Sequence, residues 1–150
     1  MNRLVIAIDG PAGAGKSTVA RMVARELGLT FLDTGAMYRS IALQVLEQSI
    51  DPEAIETVSD LAHGSAIFLS PLDSMGNQKV CVGGRDVTQE IRTPEVSQMT
   101  SRISAIPEVR SAMVELQRSI SRQSEHGVVL EGRDIGTVVF PQAEVKIFLT

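Results

Sequence analysis

The segment Gly10-Pro11-Ala12-Gly13-Ala14-Gly15-Lys16-Ser17 matches the pattern G-x-x-x-x-G-K-[ST] at every fixed position. It follows an apolar run over residues 3–9, typical of a buried strand, and it precedes residues 17–27, whose apolar side chains recur at helical spacing. A glycine-rich turn between a strand and a helix directs backbone N–H groups inward and adds the positive end of the helix dipole. The pattern therefore predicts a phosphate-binding loop, or P-loop.

The chemistry of such a loop assigns roles to residues 10–18. Lys16 is expected to neutralise charge on the β- and γ-phosphates of ATP, while the Ser17 hydroxyl ligates Mg²⁺ and Thr18 lies beside the α-phosphate. The alternative is a plain glycine-rich turn, which the flanking strand and helix disfavour. The predicted cofactor-binding residues are Gly10, Pro11, Ala12, Gly13, Ala14, Gly15, Lys16, Ser17 and Thr18. GTPases, ATPases and small-molecule kinases share this loop, so it leaves the reaction open.

The hydrophobic periodicity along the chain predicts an α/β fold, a three-layer sandwich around a parallel sheet. Strands are predicted at 3–9, 30–33, 128–130 and 145–149, and helices at 17–27, 35–48, 52–63, 94–105 and 107–124. Two further strands, 66–69 and 79–82, flank a turn at 73–77 and predict an inserted hairpin. The insertion interrupts the strand–helix alternation and predicts a small added subdomain.

A second group of polar residues follows the strand at 30–33. Asp33 and Thr34 are expected at the carboxyl edge of the sheet, where ligands of open α/β folds bind. Arg39 lies about one and a half helical turns after Asp33, and its guanidinium could hold an acceptor phosphate through two parallel hydrogen bonds. The alternatives are an exposed helix arginine and, for Asp33, a helix cap.

Charged residues also follow the strand at 128–130. Glu131, Arg133 and Asp134 lie at its carboxyl end, where charges must be paired or bind a ligand, and Glu131 could also serve Mg²⁺ through water. Arg110 is a further candidate for the same crevice. Ser97, Ser101 and Ser104 form a polar stripe at helical spacing, for which a solvated helix face is the simpler explanation.

The composition excludes several classes of protein. A net charge of −4 argues against a broad nucleic-acid surface, and 3% aromatic residues argue against base stacking. Cys81 is the single cysteine, which favours a reducing compartment, and its valine neighbours favour a strand over a nucleophile. No signal peptide or membrane-spanning run is visible in the sequence. We therefore expect a cytoplasmic protein without nucleic-acid or membrane partners, and we separately expect a monomer.

The combined motifs resemble those of bacterial cytidylate kinases. The matching stretches are IDGPAGAGKST, LDTGAMYR, VGGRDVTQEIRTPEVS, SAIPEVR and EGRDIGTVVFPQAEVKIFLT. The resemblance implies an ATP-dependent nucleoside monophosphate kinase that transfers the γ-phosphoryl group to CMP or dCMP, giving CDP or dCDP and ADP in pyrimidine metabolism. It implies catalytic roles for Lys16, Arg39 and Arg133, with both arginines on the CMP phosphate. The implied substrate-binding residues are Asp33, Thr34, Arg39, Ser101, Arg110, Arg133 and Asp134, of which Ser101, Arg110 and Asp134 read the cytosine.

The resemblance also implies a domain organisation. A cytidylate kinase core is expected at 1–50 and 125–150, with an NMP-binding insertion at roughly 51–124. The family's C-terminal lid and closing helix are expected to be missing from this chain. Two alternatives remain open, namely a P-loop kinase acting on a small metabolite and a non-catalytic nucleotide-binding module.

Overall fold

The computed structural model describes residues 3–150. In this range the helices are α1 (Lys16–Leu27), α2 (Thr34–Glu47), α3 (Ile55–Gly64), α4 (Pro94–Ile103) and α5 (Pro107–Gln123). The strands are β1 (Leu4–Asp9), β2 (Thr30–Asp33), β3 (Ile67–Leu69), β4 (Val80–Val82), β5 (Arg85–Asp86), β6 (Gly127–Gly132) and β7 (Val145–Phe148). A 3₁₀ turn (Glu90–Arg92) and a π-helix (Ile135–Val139) complete the elements. Neither of these two short elements, nor β5, is predicted by the sequence.

The chain divides into two compact units. The first unit contains residues up to Thr34, the segment Pro71–Gln78 and the segment Gln117–Thr150. The second unit contains Gly35–Ser70 and Lys79–Leu116. The predicted domain boundaries at 50 and 125 do not coincide with those of the units, because most of α2 and α5 groups with the intervening residues. The assignment of 51–124 to acceptor binding stays a prediction.

The first unit is built on a parallel sheet. Among the described residues this sheet has four strands in the order β2-β6-β1-β7. The predicted α/β class with a parallel sheet is therefore confirmed, and the architecture is consistent with a P-loop kinase fold. Strand β6 continues through Glu131 and Gly132, beyond the predicted 128–130, because β1 and β2 continue to pair with it there. Glu131 thus lies within the strand and not after it.

Helix α1 packs against the first unit's sheet. The buried residues at this contact are Ile6, Ile8, Ala20, Ala24, Phe31 and Val129. Ala20 and Ala24 are small, so the helix approaches the sheet closely. The helix ends at Gly28, which has a left-handed φ of 66° and donates its N–H to the Ala24 carbonyl. This packing fixes the helix that follows the P-loop.

The segment 71–78 is more than the predicted hairpin turn. Its backbone carbonyls accept hydrogen bonds from two arginines of α1. Arg21 Nη1 donates to the Gly76 carbonyl at 2.6 Å, and Arg25 Nη2 donates to the Ser74 carbonyl at 3.0 Å. These contacts explain why the segment belongs to the first unit.

The second unit contains helices and an antiparallel sheet with the described strand order β3-β4-β5. The predicted hairpin strands are present, and Cys81 lies in β4 as predicted. Helix α3 begins three residues later than predicted. The reason is a turn, in which the Asp51 carboxylate accepts the Glu53 N–H at 2.9 Å and the Asp51 carbonyl accepts the Ala54 N–H at 2.9 Å.

None of the helices within residues 3–150 combines the length and the apolar character needed to cross a membrane.

A substitution at Gly127 can test the packing of β6 against β1. Its φ is 125°, and a Cβ at this position would lie 2.0 Å from the Leu4 carbonyl oxygen. We expect Gly127→Ala to lower the free energy of unfolding by at least about 3 kcal/mol, measured by urea denaturation. Gly64→Ala is the control, because a Cβ added there meets no heavy atom within 4 Å beyond its chain neighbours and the backbone of its own helix. It should change stability by less than about 1 kcal/mol. Equal denaturation midpoints for the two variants would contradict this account.

Candidate phosphate-binding site

The P-loop adopts a backbone that depends on glycine. Gly13 and Gly15 have left-handed φ values of 81° and 87°. Side-chain-bearing residues rarely adopt this region, whereas glycine does so without steric cost. Between these glycines the Ala14 N–H donates to the Pro11 carbonyl at 3.3 Å, which closes the turn. The loop then leads directly into α1 at Lys16.

The start of α1 is suited to an anion. Its N-cap residue is Gly15, no side chain in the described chain caps it, and its first turn contains no acidic residue. The first N–H groups of an α-helix have no acceptor within the helix, and the helix dipole is positive at this end. The backbone amides of Lys16, Ser17 and Thr18 are therefore available to phosphate oxygens. This arrangement fits the predicted phosphate group.

Lys16 adds a full positive charge to this region. Its side chain is half-buried, and Nζ donates to the Pro11 carbonyl at 3.0 Å. The ammonium group therefore lies against the P-loop itself. A carbonyl oxygen does not neutralise an ammonium charge, so the charge can still attract an anion.

The Ser17 hydroxyl is held by a residue that the sequence analysis did not identify. Arg21 Nε donates to Ser17 Oγ at 3.2 Å, and Arg21 Nη2 lies 3.9 Å from Asp33 Oδ2. The Arg21 guanidinium also lies 4.9 Å from the centre of the Phe31 ring. The available signal was the four-residue spacing between Ser17 and Arg21, which places both on one helix face. Arg21 thus links the predicted metal ligand to the end of β2.

A divalent cation here would depend on few protein ligands. No group of three or more His, Cys, Asp or Glu side chains within residues 3–150 is arranged to hold a metal ion. Mg²⁺ commonly keeps several waters and binds through substrate phosphates together with one or two protein oxygens. The Ser17 hydroxyl has two acceptor lone pairs, so the bond from Arg21 leaves one for a cation. The donor set of the site therefore fits a phosphate-bound Mg²⁺.

Three carboxylates lie near the ends of adjacent parallel strands. Asp9 ends β1, Asp33 ends β2, and Glu131 pairs with Asp33 across the sheet. Burial raises the pKa of Glu131, and the negative charge of Asp33 raises it further, while the positive charges of Lys16 and Arg21 act in the opposite direction. A perturbed carboxylate at this sheet edge is typical of functional sites.

The remaining predicted residues of the first unit lie at the carboxyl end of β6. Thr34 Oγ1 donates to the Glu131 carbonyl at 2.9 Å. Arg133 is exposed and follows the last strand residue, while Asp134 is half-buried and precedes the π-helix. Since β6 pairs with both β1 and β2, the first unit brings this turn, Thr34 and the start of the P-loop to one sheet edge.

The other predicted substrate residues lie in the second unit. Arg39 Nη1 donates to the Ile91 carbonyl at 3.1 Å and to Ser97 Oγ at 2.8 Å. Ser101 Oγ donates to the Ser97 carbonyl at 3.3 Å. Arg39 and Ser101 are thus linked through Ser97, and the simple explanation of a solvated serine face is wrong for Ser97.

Arg110 belongs to the same unit. Its Nη1 atom donates to the Ser104 carbonyl at 3.4 Å, which places it at the junction between α4 and α5. The contacts of the predicted site residues are therefore defined in each unit separately. Their catalytic and substrate-binding roles stay predictions.

Glu131 gives a prediction about the pH dependence of stability. Because its folded-state pKa is raised above the usual value of 4.5, the folded protein binds more protons above that pH than the unfolded chain does. The contribution of Glu131 to stability therefore falls as the pH rises from about 4.5 through the raised pKa of the folded state. We expect Glu131→Gln to have a larger free energy of unfolding than the wild type at pH 7. Between pH 5 and pH 7 the variant should also lose less of this free energy than the wild type does. Urea denaturation at both pH values measures this.

Glu26→Gln, at an exposed position of α1, controls for the loss of one acidic side chain. A Glu131→Gln protein that loses as much stability as the wild type between pH 5 and pH 7 would contradict the raised pKa.

Comparison with known proteins gives a consistent result. The cytidylate kinase family model matches residues 6–150. A cytidylate kinase of Pelotomaculum thermopropionicum is 53% identical over 145 residues, which are 97% of this chain and 63% of that protein. A cytidylate kinase of Solibacter usitatus is 54% identical over 147 residues, covering 98% of this chain and 60% of that protein. A bifunctional pantoate ligase/cytidylate kinase of Synechocystis is 55% identical over 146 residues, 97% of this chain and 28% of that protein.

This chain thus spans less than two thirds of the length of these relatives. The match nevertheless covers almost all of its own residues, including the P-loop and the turn after β6. The chain belongs to the cytidylate kinase family.

Proposed function

We propose that the protein transfers the γ-phosphoryl group of ATP to CMP or dCMP, giving ADP and CDP or dCDP, as part of pyrimidine nucleotide metabolism. The observation that carries this proposal is the P-loop with its uncapped helix start and Lys16, in a chain of the cytidylate kinase family. CMP and dCMP are its proposed small-molecule partners, and the protein is expected to act as a monomer.

The P-loop geometry supports the proposed donor side of the reaction. Residues 10–18 would surround the triphosphate of ATP, with the amides at the start of α1 directed to its oxygens. Lys16 would neutralise charge on the β- and γ-phosphates. Ser17 would hold Mg²⁺, which would supply neutralisation of phosphate charge when bound. Arg21 would keep the Ser17 hydroxyl in place through the Nε bond.

The acceptor side is assigned by family resemblance and supported by local contacts. Arg39 and Arg133 would bind the phosphate of CMP. Arg39 Nη1 is anchored to the Ile91 carbonyl and to Ser97, which leaves other guanidinium donors for a phosphate, since a guanidinium has five. An anchored arginine loses less conformational freedom on binding than a mobile one.

Recognition of cytosine would fall to Ser101, Arg110 and Asp134, and Asp33 and Thr34 are two further proposed substrate-binding residues. Cytosine carries an exocyclic amine donor next to two acceptors, whereas uracil presents an acceptor in place of the amine. A carboxylate such as that of Asp134 accepts from the amine, and an arginine donates to the acceptors. This pairing would favour CMP over UMP.

The chemical step needs alignment more than acid–base catalysis. The second pKa of a phosphate monoester is about 6, so the attacking oxygen of CMP is largely ionised at neutral pH. That oxygen attacks the γ-phosphorus of ATP, and the bond from the γ-phosphorus to the β–γ bridging oxygen breaks to release ADP. Lys16, Arg39 and Arg133 would neutralise the charge that develops during this transfer. An alcohol acceptor would instead require a general base.

A calorimetric titration tests the acceptor assignment. We expect the chain to bind CMP at least about tenfold more tightly than UMP or AMP, a difference of about 1.4 kcal/mol. Shikimate, the probe for a small-metabolite kinase, should not bind. Asp134→Ala should lose most of the preference for CMP over UMP because the acceptor for the amine is removed.

Lys16→Ala is the matched comparison in this titration. It should weaken binding of ATP with Mg²⁺ while the preference for CMP is kept, since Lys16 is assigned to the donor side. Unchanged CMP preference in Asp134→Ala would remove Asp134 from base recognition. Failure of the wild-type chain to bind any monophosphate would contradict the proposed acceptor.

A further inference from the structure

Asp9 makes two hydrogen bonds that the proposed chemistry does not use. Its side chain is buried, with 8% of the residue exposed. Oδ1 accepts the N–H of Ile135 at 2.8 Å, and Oδ2 accepts the N–H of Gly136 at 2.8 Å. Both carboxylate oxygens are therefore engaged by consecutive backbone amides, more than 120 positions away along the chain.

These amides open the π-helix Ile135–Val139. Its N-cap residue is Asp134, whose own side chain makes no capping hydrogen bond. The first amides of a helix need an acceptor from outside it, and a negative group at this end is favourable. Asp9 supplies that acceptor from β1. The carboxylate thereby fixes the backbone directly after Arg133 and Asp134.

Asp9 is itself held on both sides by the sheet. Its carbonyl accepts the N–H of Leu149 at 2.8 Å, beside β7. The next residue, Gly10, donates its N–H to the Gly132 carbonyl at 3.2 Å, at the end of β6. The residue that begins the P-loop and the residue that precedes Arg133 are thus joined directly. The Asp9 carboxylate adds a second connection between the same two segments.

We propose that Asp9 is a positioning residue that fixes the Arg133–Asp134 turn with respect to the P-loop. The backbone bond from Gly10 to Gly132 holds the start of this turn, and the carboxylate bonds at Ile135 and Gly136 hold its end. Both side chains of the turn are thereby presented from a backbone fixed at two points. What the turn binds, the phosphate and base of CMP, rests on the proposed function.

The contact between Asp9 and Gly136 leaves little room for a larger side chain at either residue. A Cβ at Gly136 would lie 3.3 Å from Asp9 Oδ2 and 3.3 Å from Lys146 Cδ. Asparagine at position 9 has one acceptor oxygen and an NH₂ group, so it can satisfy only one of the two amides. Asp9→Asn therefore removes one bond at nearly constant volume, and Gly136→Ala displaces the carboxylate without removing it.

The first test is calorimetric titration of the wild-type chain, Asp9→Asn and Gly136→Ala with CMP and, separately, with ATP and Mg²⁺. We expect the dissociation constant for CMP to rise about tenfold or more in Asp9→Asn, and by less in Gly136→Ala. The dissociation constant for ATP with Mg²⁺ should change by less than about threefold in both. A residue that served stability alone would leave both constants unchanged in the folded variants, and that result would overturn the proposal.

The second test does not depend on the ligand. Amide hydrogen exchange, followed by NMR, should show that Ile135 or Gly136, whichever amide the asparagine leaves without an acceptor, loses protection in Asp9→Asn, while the amides of β1 and β6 keep theirs. If the wild type binds no CMP, the proposed function fails, and this exchange measurement decides whether Asp9 fixes the turn. Unchanged protection at both amides would overturn the proposal. Loss of ATP binding with CMP binding kept would also overturn it, by placing Asp9 on the donor side.

Discussion

The parallel pairing of β1 with β6 determines where the functional segments of the first unit lie. The two strands are in register over six pairs, from Leu4 with Gly127 to Asp9 with Gly132. The P-loop leaves the end of one strand, and the Arg133–Asp134 turn leaves the end of its neighbour. Because parallel strands end at the same sheet edge, both segments emerge side by side. Gly127 is required for this pairing, since a larger residue would collide with the backbone of Leu4.

The edge created by this pairing is electrostatically costly without a ligand. The carboxylates of Asp9, Asp33 and Glu131 are brought near one another, and burial together with Asp33 raises the pKa of Glu131. The positive groups of Lys16 and Arg21 offset part of this repulsion. Carboxylates with perturbed pKa values cluster at functional sites. The proposed phosphates and Mg²⁺ would complete this balance of charge.

Local patterns predicted the four described strands of the parallel sheet and the helix that follows the P-loop. Helix α1 was predicted to within one residue because Gly15 and Gly28 mark its ends. The π-helix was missed because its N-terminal amides are satisfied by Asp9, a partner too distant in sequence for periodicity to reveal. Within the segment 71–78 only a turn at 73–77 was predicted, since the bonds of this segment to Arg21 and Arg25 are also long-range.

The candidate site shows the same limit. The glycines, Lys16 and Ser17 were predicted from a motif whose residues are contiguous, so the sequence contains the whole pattern. The contacts of Arg39 with Ser97 and of Arg21 with Ser17 were not predicted. The first pair is separated by 58 positions, and the second shows only a helical spacing shared by many surface residues. The residue types of the site could thus be predicted from the sequence. The residues that hold them in position could be identified only from the folded structure.

Amide hydrogen exchange of the chain with and without ATP and Mg²⁺, resolved by peptide mass spectrometry, shows whether residues 10–18 form a phosphate-binding loop with free amides at the start of α1. We expect the peptides that cover residues 10–18 to gain protection when the nucleotide binds. Nucleotide binding without protection of these peptides, or with protection confined to other segments, would contradict a phosphate-binding role for this loop.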